Sequence, residues 1–163
     1  MSIPQYYSKL VNDPTDLSPI VDAYEYYMEQ YEEGTKEANA LMKRGQSLET
    51  ASIKISGIVG YRYGQLQECE QILSFLENRE TRLIGQKRRL YREHYNRELT
   101  DSMVEKYANT DSEVLDLIEI RNLFALARNK FLGLSKHLEY LHYQISNLTK
   151  LRQAGIDTSP LEE

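Results

Sequence analysis

Residues 111–155 read DSEVLDLIEI RNLFALARNK FLGLSKHLEY LHYQISNLTK LRQAG, and this stretch decides the fold. Leu117, Ile120, Phe124, Ala127, Phe131, Leu134, Leu138, Leu141, Ile145 and Leu148 recur at alternating three- and four-residue steps, the period of one helix face. A helix is expected from Asp111 to Ala154. It starts at the capping-box pattern Thr110-Asp111-Ser112-Glu113 and stops at Gly155, with Pro160 beyond. Leu115, Ile118, Leu123, Leu126, Leu132, Tyr140 and Leu151 widen the apolar surface past one seam, so the helix needs more than one partner.

The same period extends backwards along the chain. A second long helix is expected from Ser47 to about Tyr95, on Leu48, Ala51, Ile55, Ile58, Arg62, Leu66, Cys69, Leu73, Leu76, Glu80, Leu83, Lys87 and Leu90. Gly57, Gly60 and Gly64 leave two readings there. Each costs roughly 1 kcal/mol against alanine in a helix, which favours a kink, whereas Ser56, Gly60 and Gly64 at four-residue spacing would offer a smooth stripe for another helix. A first helix is expected from Pro19, capped by Ser18, to about Arg44 near Gly45, and a short one from the Ser102-Met103-Val104-Glu105 box to about Ala108. All four prolines lie near the ends, at Pro4, Pro14, Pro19 and Pro160, and no hairpin signals recur. The expected fold is therefore all-α. Residues 1–17 read as an irregular arm, 18–155 as a single helical domain and 156–163 as a tail.

Two helices of some forty residues, on the order of 60 Å each, exceed what a compact domain of this size needs. The expectation is a long-helix antiparallel bundle or coiled-coil subunit that closes into a ring-like homo-oligomer, with Leu117, Phe124, Phe131, Leu138 and Ile145 on the seam between copies. A monomeric antiparallel bundle is the alternative.

Composition excludes several function classes. The 163 residues contain one cysteine, Cys69, which supports neither an internal disulfide nor a structural zinc knuckle, and which falls on an apolar seam. No apolar run approaches the ~20 residues of a membrane span and no signal peptide opens the chain, so a cytoplasmic protein without membrane contact is expected. Glu139 and His142 have half the spacing of a bundle di-iron site, but the other half is missing. The glycines at 57, 60 and 64 lack the Gly-Lys-Ser/Thr end of a phosphate loop. The expected protein is not an enzyme and needs no cofactor.

Charge is segregated. Residues 1–42 carry Asp13, Asp16, Asp22, Glu25, Glu29, Glu32, Glu33 and Glu37 against Lys9 and Lys36, among the tyrosines Tyr24, Tyr26, Tyr27 and Tyr31. In those acidic surroundings the tyrosines are expected to pack against neighbours. Residues 79–97 carry Arg79, Arg82, Lys87, Arg88, Arg89, Arg92 and Arg97 against Glu80 and Glu93, inside a chain of net charge -5. Arg82, Arg89 and Arg92 share one helix side, Arg88 and Arg92 lie one turn apart, and Tyr91, His94 and Tyr95 interleave. Guanidinium forks for phosphates beside rings for unpaired bases are what single-strand binding requires. The bland readings are a solvated face, or a contact with the acidic helix of a neighbouring copy.

Lys87-Arg88-Arg89-Leu90-Tyr91 with His94-Tyr95-Asn96, then Ser102 to Tyr107, then Asp111 to Leu117, and finally Leu151-Arg152-Gln153-Ala154-Gly155, resemble the UvsY family of phage recombination mediators over about residues 83–155. The resemblance implies a helical, ring-forming homo-oligomer in the host cytoplasm. Such a protein binds single-stranded DNA and helps load a RecA-like recombinase onto strands covered by single-strand-binding protein. It also implies a DNA-binding role for Lys87, Arg89 and Leu90, which match the family's Lys-x-Arg-Leu segment with Arg88 at the variable position. Arg82, Arg92, Tyr91 and Tyr95 join them from the charge reading alone. On an ideal helix Lys87 and Arg89 diverge by about 200°. A coiled-coil scaffold and a DNA-packaging adaptor that prefers duplex are the competing functions.

Overall fold

In the computed structural model, residues 16–41, 47–95 and 99–156 are described. The chain is all-α: α1 Ser18–Ala40, α2 Leu48–His94, α3 Asp101–Asn109 and α4 Ser112–Gln153, with no strand among the described residues. The expected turn at Gly45, the arm before Asp16 and the tail after Ile156 lie outside them.

The helix ends follow local hydrogen-bond chemistry and correct three capping assignments. α1 starts one residue earlier than expected: Leu17 O accepts from Ile20 and Val21, and Asp16 Oδ1 takes the Ser18 N–H at 2.9 Å. Pro19 then sits in the first turn, where no donor is needed. α3 is capped by Thr100, which accepts from the Met103 N–H, and the expected box at Ser102 is already helical. α4 is capped by Asp111, whose Oδ1 accepts from Glu113 N at 3.1 Å, while Thr110 closes α3. The second long helix, expected from Ser47, begins at Leu48 with Ser47 as its cap, accepting from Thr50 N at 3.1 Å. The stop after α4 is as expected: Gly155 takes φ 74°, and the Ile156 N–H reaches back to Leu151 O.

α2 runs without a break through Gly57, Gly60 and Gly64. Nothing lies within 4 Å of a Cβ placed at any of the three, so no described helix packs closely on the glycine stripe within the chain.

By internal contacts the chain forms two compact units, and α1, α2 and α4 contribute to both. The first comprises residues 16–24 and 68–128 of the described chain. Its core is Ile20 and Ala23 from α1, Cys69, Ile72 and Leu76 from α2, Val104 and Ala108 from α3, and Val114, Leu117, Phe124 and Ala127 from α4. Lys87 pairs with Asp111 and Glu113, Glu80 with Arg121 and Glu70 with Arg128, so α2 and α4 run antiparallel here. Burial pushes the Cys69 thiol up to about 12, with Glu68 and Glu70 adding to it, in keeping with a core role.

The second unit comprises residues 25–41, 47–67 and 129–156. Its core is Tyr27, Ala38 and Leu41, Ala51, Ile55 and Leu66, with Phe131, Leu134, Leu138, Leu141 and Ile145. The tyrosines of α1 pack as expected: Tyr27 and Tyr31 meet Phe131 edge-on at 6.0 and 6.1 Å. Tyr24 does the same to Phe124 within the first unit.

The residues assigned to an intermolecular seam need correction. Leu117, Phe124, Phe131, Leu138 and Ile145 are each at most 2% exposed within the single chain. α1 and α2 supply the partners that a second copy was expected to supply. Among the large apolar side chains of α4 in the first unit, Leu115, Leu123 and Leu126 remain exposed.

Candidate nucleic-acid interface

The basic end of α2 lies in the first unit, against α3 and the start of α4. Arg88, Arg89 and Arg92 are exposed, Lys87 and Tyr91 are partly covered, and Tyr95 follows the helix end. The structure divides these side chains into three groups.

Lys87 points inward. Its Nζ lies 3.0 Å from Asp111 Oδ1 and 2.8 Å from Glu113 Oε1, with 14% of the side chain exposed. The hydrogen bond to Glu113 raises its pKa first; burial opposes this and Asp111 reinforces it. Burial pushes the Asp111 carboxyl up, but hydrogen bonds from Lys87, Tyr91 and the Glu113 backbone outweigh it and hold the group below its usual range. Tyr91 donates to Asp111 Oδ2 at 2.9 Å, which raises the phenol. The divergence of Lys87 from Arg89 is therefore realised as an inward lysine and an outward arginine.

Arg88 and Arg92 are paired but exposed. Arg88 Nη2 lies 2.8 Å from Glu105 Oε1, and Arg92 Nη2 lies 2.6 Å from Asp101 Oδ1, with 47% and 62% of the two arginine side chains in solvent. Pairs this exposed are worth about 0–1 kcal/mol and exchange readily for another anion.

Arg82 and Arg89 form the third group: both are exposed and neither makes an ion pair among the described residues. Arg82 borders a groove of about 730 Å³ that is also lined by Leu17, Phe75, Arg79, Leu83, Glu113 and Asp116.

The rings gather as the sequence did not anticipate. Tyr107 from α3 lies 5.7 Å from Tyr95 at an interplanar angle of 22° and 5.8 Å from Tyr91, so three tyrosines form one cluster. Tyr91 and Tyr95 are 6.4 Å apart. Tyr95 is 46% exposed, and its phenol is raised by the hydrogen bond with Tyr107. Tyr107 escaped the sequence reading because its place depends on how α3 folds back. The charge excess of residues 79–97 is likewise offset by Asp101, Glu105, Asp111 and Glu113, which arrive with α3 and α4.

Seen along the α2 axis, Tyr91, Tyr95, Arg88, Arg92, Arg89 and Arg82 fall in that order across about half the helix circumference, with Lys87 outside the arc. Chemically the arc offers two guanidinium groups without an ion pair among the described residues, two exchangeable ones and a partly exposed aromatic cluster. His94 is exposed beside it, and Glu139 and His142 are exposed on α4. Among the described residues no helix is long and apolar enough to cross a membrane. Comparison of the chain with protein-family models, with curated proteins and with solved structures finds no match.

Proposed function

We propose that the protein is a non-enzymatic, homo-oligomeric single-stranded DNA-binding factor of the recombination-mediator kind, which helps a RecA-like recombinase replace single-strand-binding protein on DNA. The observation that carries the DNA-binding part is the Tyr91–Tyr95–Tyr107 cluster rimmed by Arg88 and Arg92 and continued by Arg89 and Arg82. Rings stack on unpaired bases and guanidinium groups fork onto phosphates, a combination suited to a flexible strand. The recombinase and single-strand-binding protein as partners rest on the resemblance in residues 83–155. Assembly of copies would use apolar surface that one chain leaves open, such as Leu115, Leu123 and Leu126.

The test is binding of a labelled oligonucleotide across a salt series. Arg82→Gln with Arg89→Gln is expected to weaken binding for every base sequence and to flatten the log–log salt slope by roughly 0.7 per lost phosphate contact. Tyr95→Ala is expected to weaken single-strand binding without changing the slope. A parent protein that ignores single strands at low salt overturns the reading, and a preference for duplex favours the packaging adaptor. Stimulation of strand exchange in the presence of single-strand-binding protein tests the mediator step.

A second reading has its own observation. Lys87, Arg88 and Arg92 all pair with acids of the same chain, as in a scaffold whose basic segment only holds helices together. That reading expects the Arg82 and Arg89 substitutions to leave any strand binding unchanged.

A further inference from the structure

Asp101 and Glu105 lie one turn apart on α3, as Arg92 and Arg88 do on α2, so the two pairs form a short ladder between the helices. The acids are 89% and 61% exposed, which is unusual for groups that fix a helix in place; Val104 and Ala108, both buried, do that instead. A carboxylate and a phosphate present the same planar or near-planar pair of oxygens to a guanidinium fork and compete for it directly.

We propose that α3 is a built-in competitor for the strand, with Asp101 and Glu105 occupying the guanidinium groups of Arg92 and Arg88 that phosphates would otherwise take. This rests on the single-strand reading above and adds regulation to it. In the closed state only Arg82 and Arg89 meet the backbone, and the protein binds weakly. When a strand reaches the tyrosine cluster, its phosphates compete with the two carboxylates and take the guanidinium groups only part of the time, without moving α3, because both acids already face solvent. The arrangement sets an affinity low enough for a strand to be handed on, and any partner that draws off the acids of α3 tightens the grip.

Asp101→Asn with Glu105→Gln tests this by replacing each acid with an amide of the same shape and leaving the Thr100 cap intact. Glu119→Gln with Glu139→Gln, two exposed acids of α4 that make no ion pair with the arc among the described residues, removes the same charge elsewhere. Single-strand affinity is expected to rise roughly tenfold at low salt in the first variant only, with a salt slope steeper by up to about 1.4 for two added phosphate contacts. Glu105→Gln alone, which leaves the first turn of α3 untouched, is expected to give an intermediate gain even if the Asp101 change costs stability. A parent that binds single strands while the α3 variant binds no better, or an equal gain in the α4 control, overturns the competitor and spares the strand reading. If neither parent nor variant binds, both are overturned.

Discussion

Arg62 is 1% exposed, and every polar atom of its guanidinium is used: Nε and Nη2 donate to Glu37 Oε2, and Nη1 donates to Gln30 O, Gln30 Oε1 and Gln65 Oε1. The carboxylate of Glu37 is 40% exposed, so the two partners tolerate separation unequally. Glu37→Ala strands a buried cation, with Glu33 at 3.9 Å the only other acid paired with it among the described residues, and is expected to cost about 3 kcal/mol in urea unfolding. Arg62→Met leaves a carboxylate that water can reach and is expected to cost about 1–2 kcal/mol, mostly through unpaired amides of Gln30 and Gln65. The reverse ranking would refute this account of the pair. Lys87 and Asp111 form the corresponding knot in the first unit, and here pH is the probe. The depressed Asp111 pKa contributes stability that is complete above its unfolded value of about 3.9 and is lost as pH falls through the lower folded value. The deficit of Asp111→Asn relative to the parent, about 1–2 kcal/mol at neutral pH for this partly buried group, should therefore shrink steadily below pH ~4. The raised Lys87 pKa works at the other end, with its contribution complete below the unfolded value and lost as pH rises through the folded one.

At the scale of elements, the glycines of helices separate into two kinds. A Cβ at Gly34 of α1 would meet Leu134 Cδ2 at 2.7 Å and Arg62 Nε at 2.8 Å, both buried and neither able to retreat. Gly34→Ala is expected to destabilise by about 1–3 kcal/mol despite its better helix propensity. Gly57→Ala and Gly60→Ala enter open space on α2 and should each stabilise by roughly 0.5–1 kcal/mol. Chemical denaturation of the single variants measures all three. What was legible in the sequence follows the same physics. The three- and four-residue series gave the long helices and their inward faces, because burying an apolar stripe is what makes them helices at all. It also placed Arg62, Glu80 and Lys87 on the inward seam of α2, and each is found paired across to another helix, Lys87 through Glu113. Lys87 was thus legible as inward from its place on that seam four residues after Leu83, although the seam's last member, Leu90, is 49% exposed and the resemblance pointed both at DNA. The partners were not legible, since Asp101, Glu105, Tyr107 and Asp111 reach α2 only through the return of α3, and no periodic pattern encodes that return.

For the whole molecule, the decisive question is which apolar surface joins one copy to another. Phe131 and Leu138 are fully buried in one chain, so Phe131→Glu would place an unpaired charge in the core of the second unit and is expected to unfold it at any protein concentration. It therefore reports on folding and not on assembly. Leu115, Leu123 and Leu126 are 49%, 41% and 48% exposed, and on an ideal helix they fall within about 80° of one another on the outer side of α4. Isolated exposed leucines need no explanation, but three on one face form a patch that a second copy can cover. Leu115→Glu with Leu126→Glu removes that patch without touching the core. If the protein is a homo-oligomer closed through this face, the variant should keep its far-ultraviolet helicity and thermal midpoint at low concentration while its sedimenting mass falls to one chain of 19.1 kDa. The avidity of a ring falls with it: with one arginine arc in place of several, single-strand affinity should drop by more than the intrinsic site changes, because the second contact is no longer intramolecular. A variant that keeps the parent's mass places the interface elsewhere, and a parent already monomeric at micromolar concentration removes the ring.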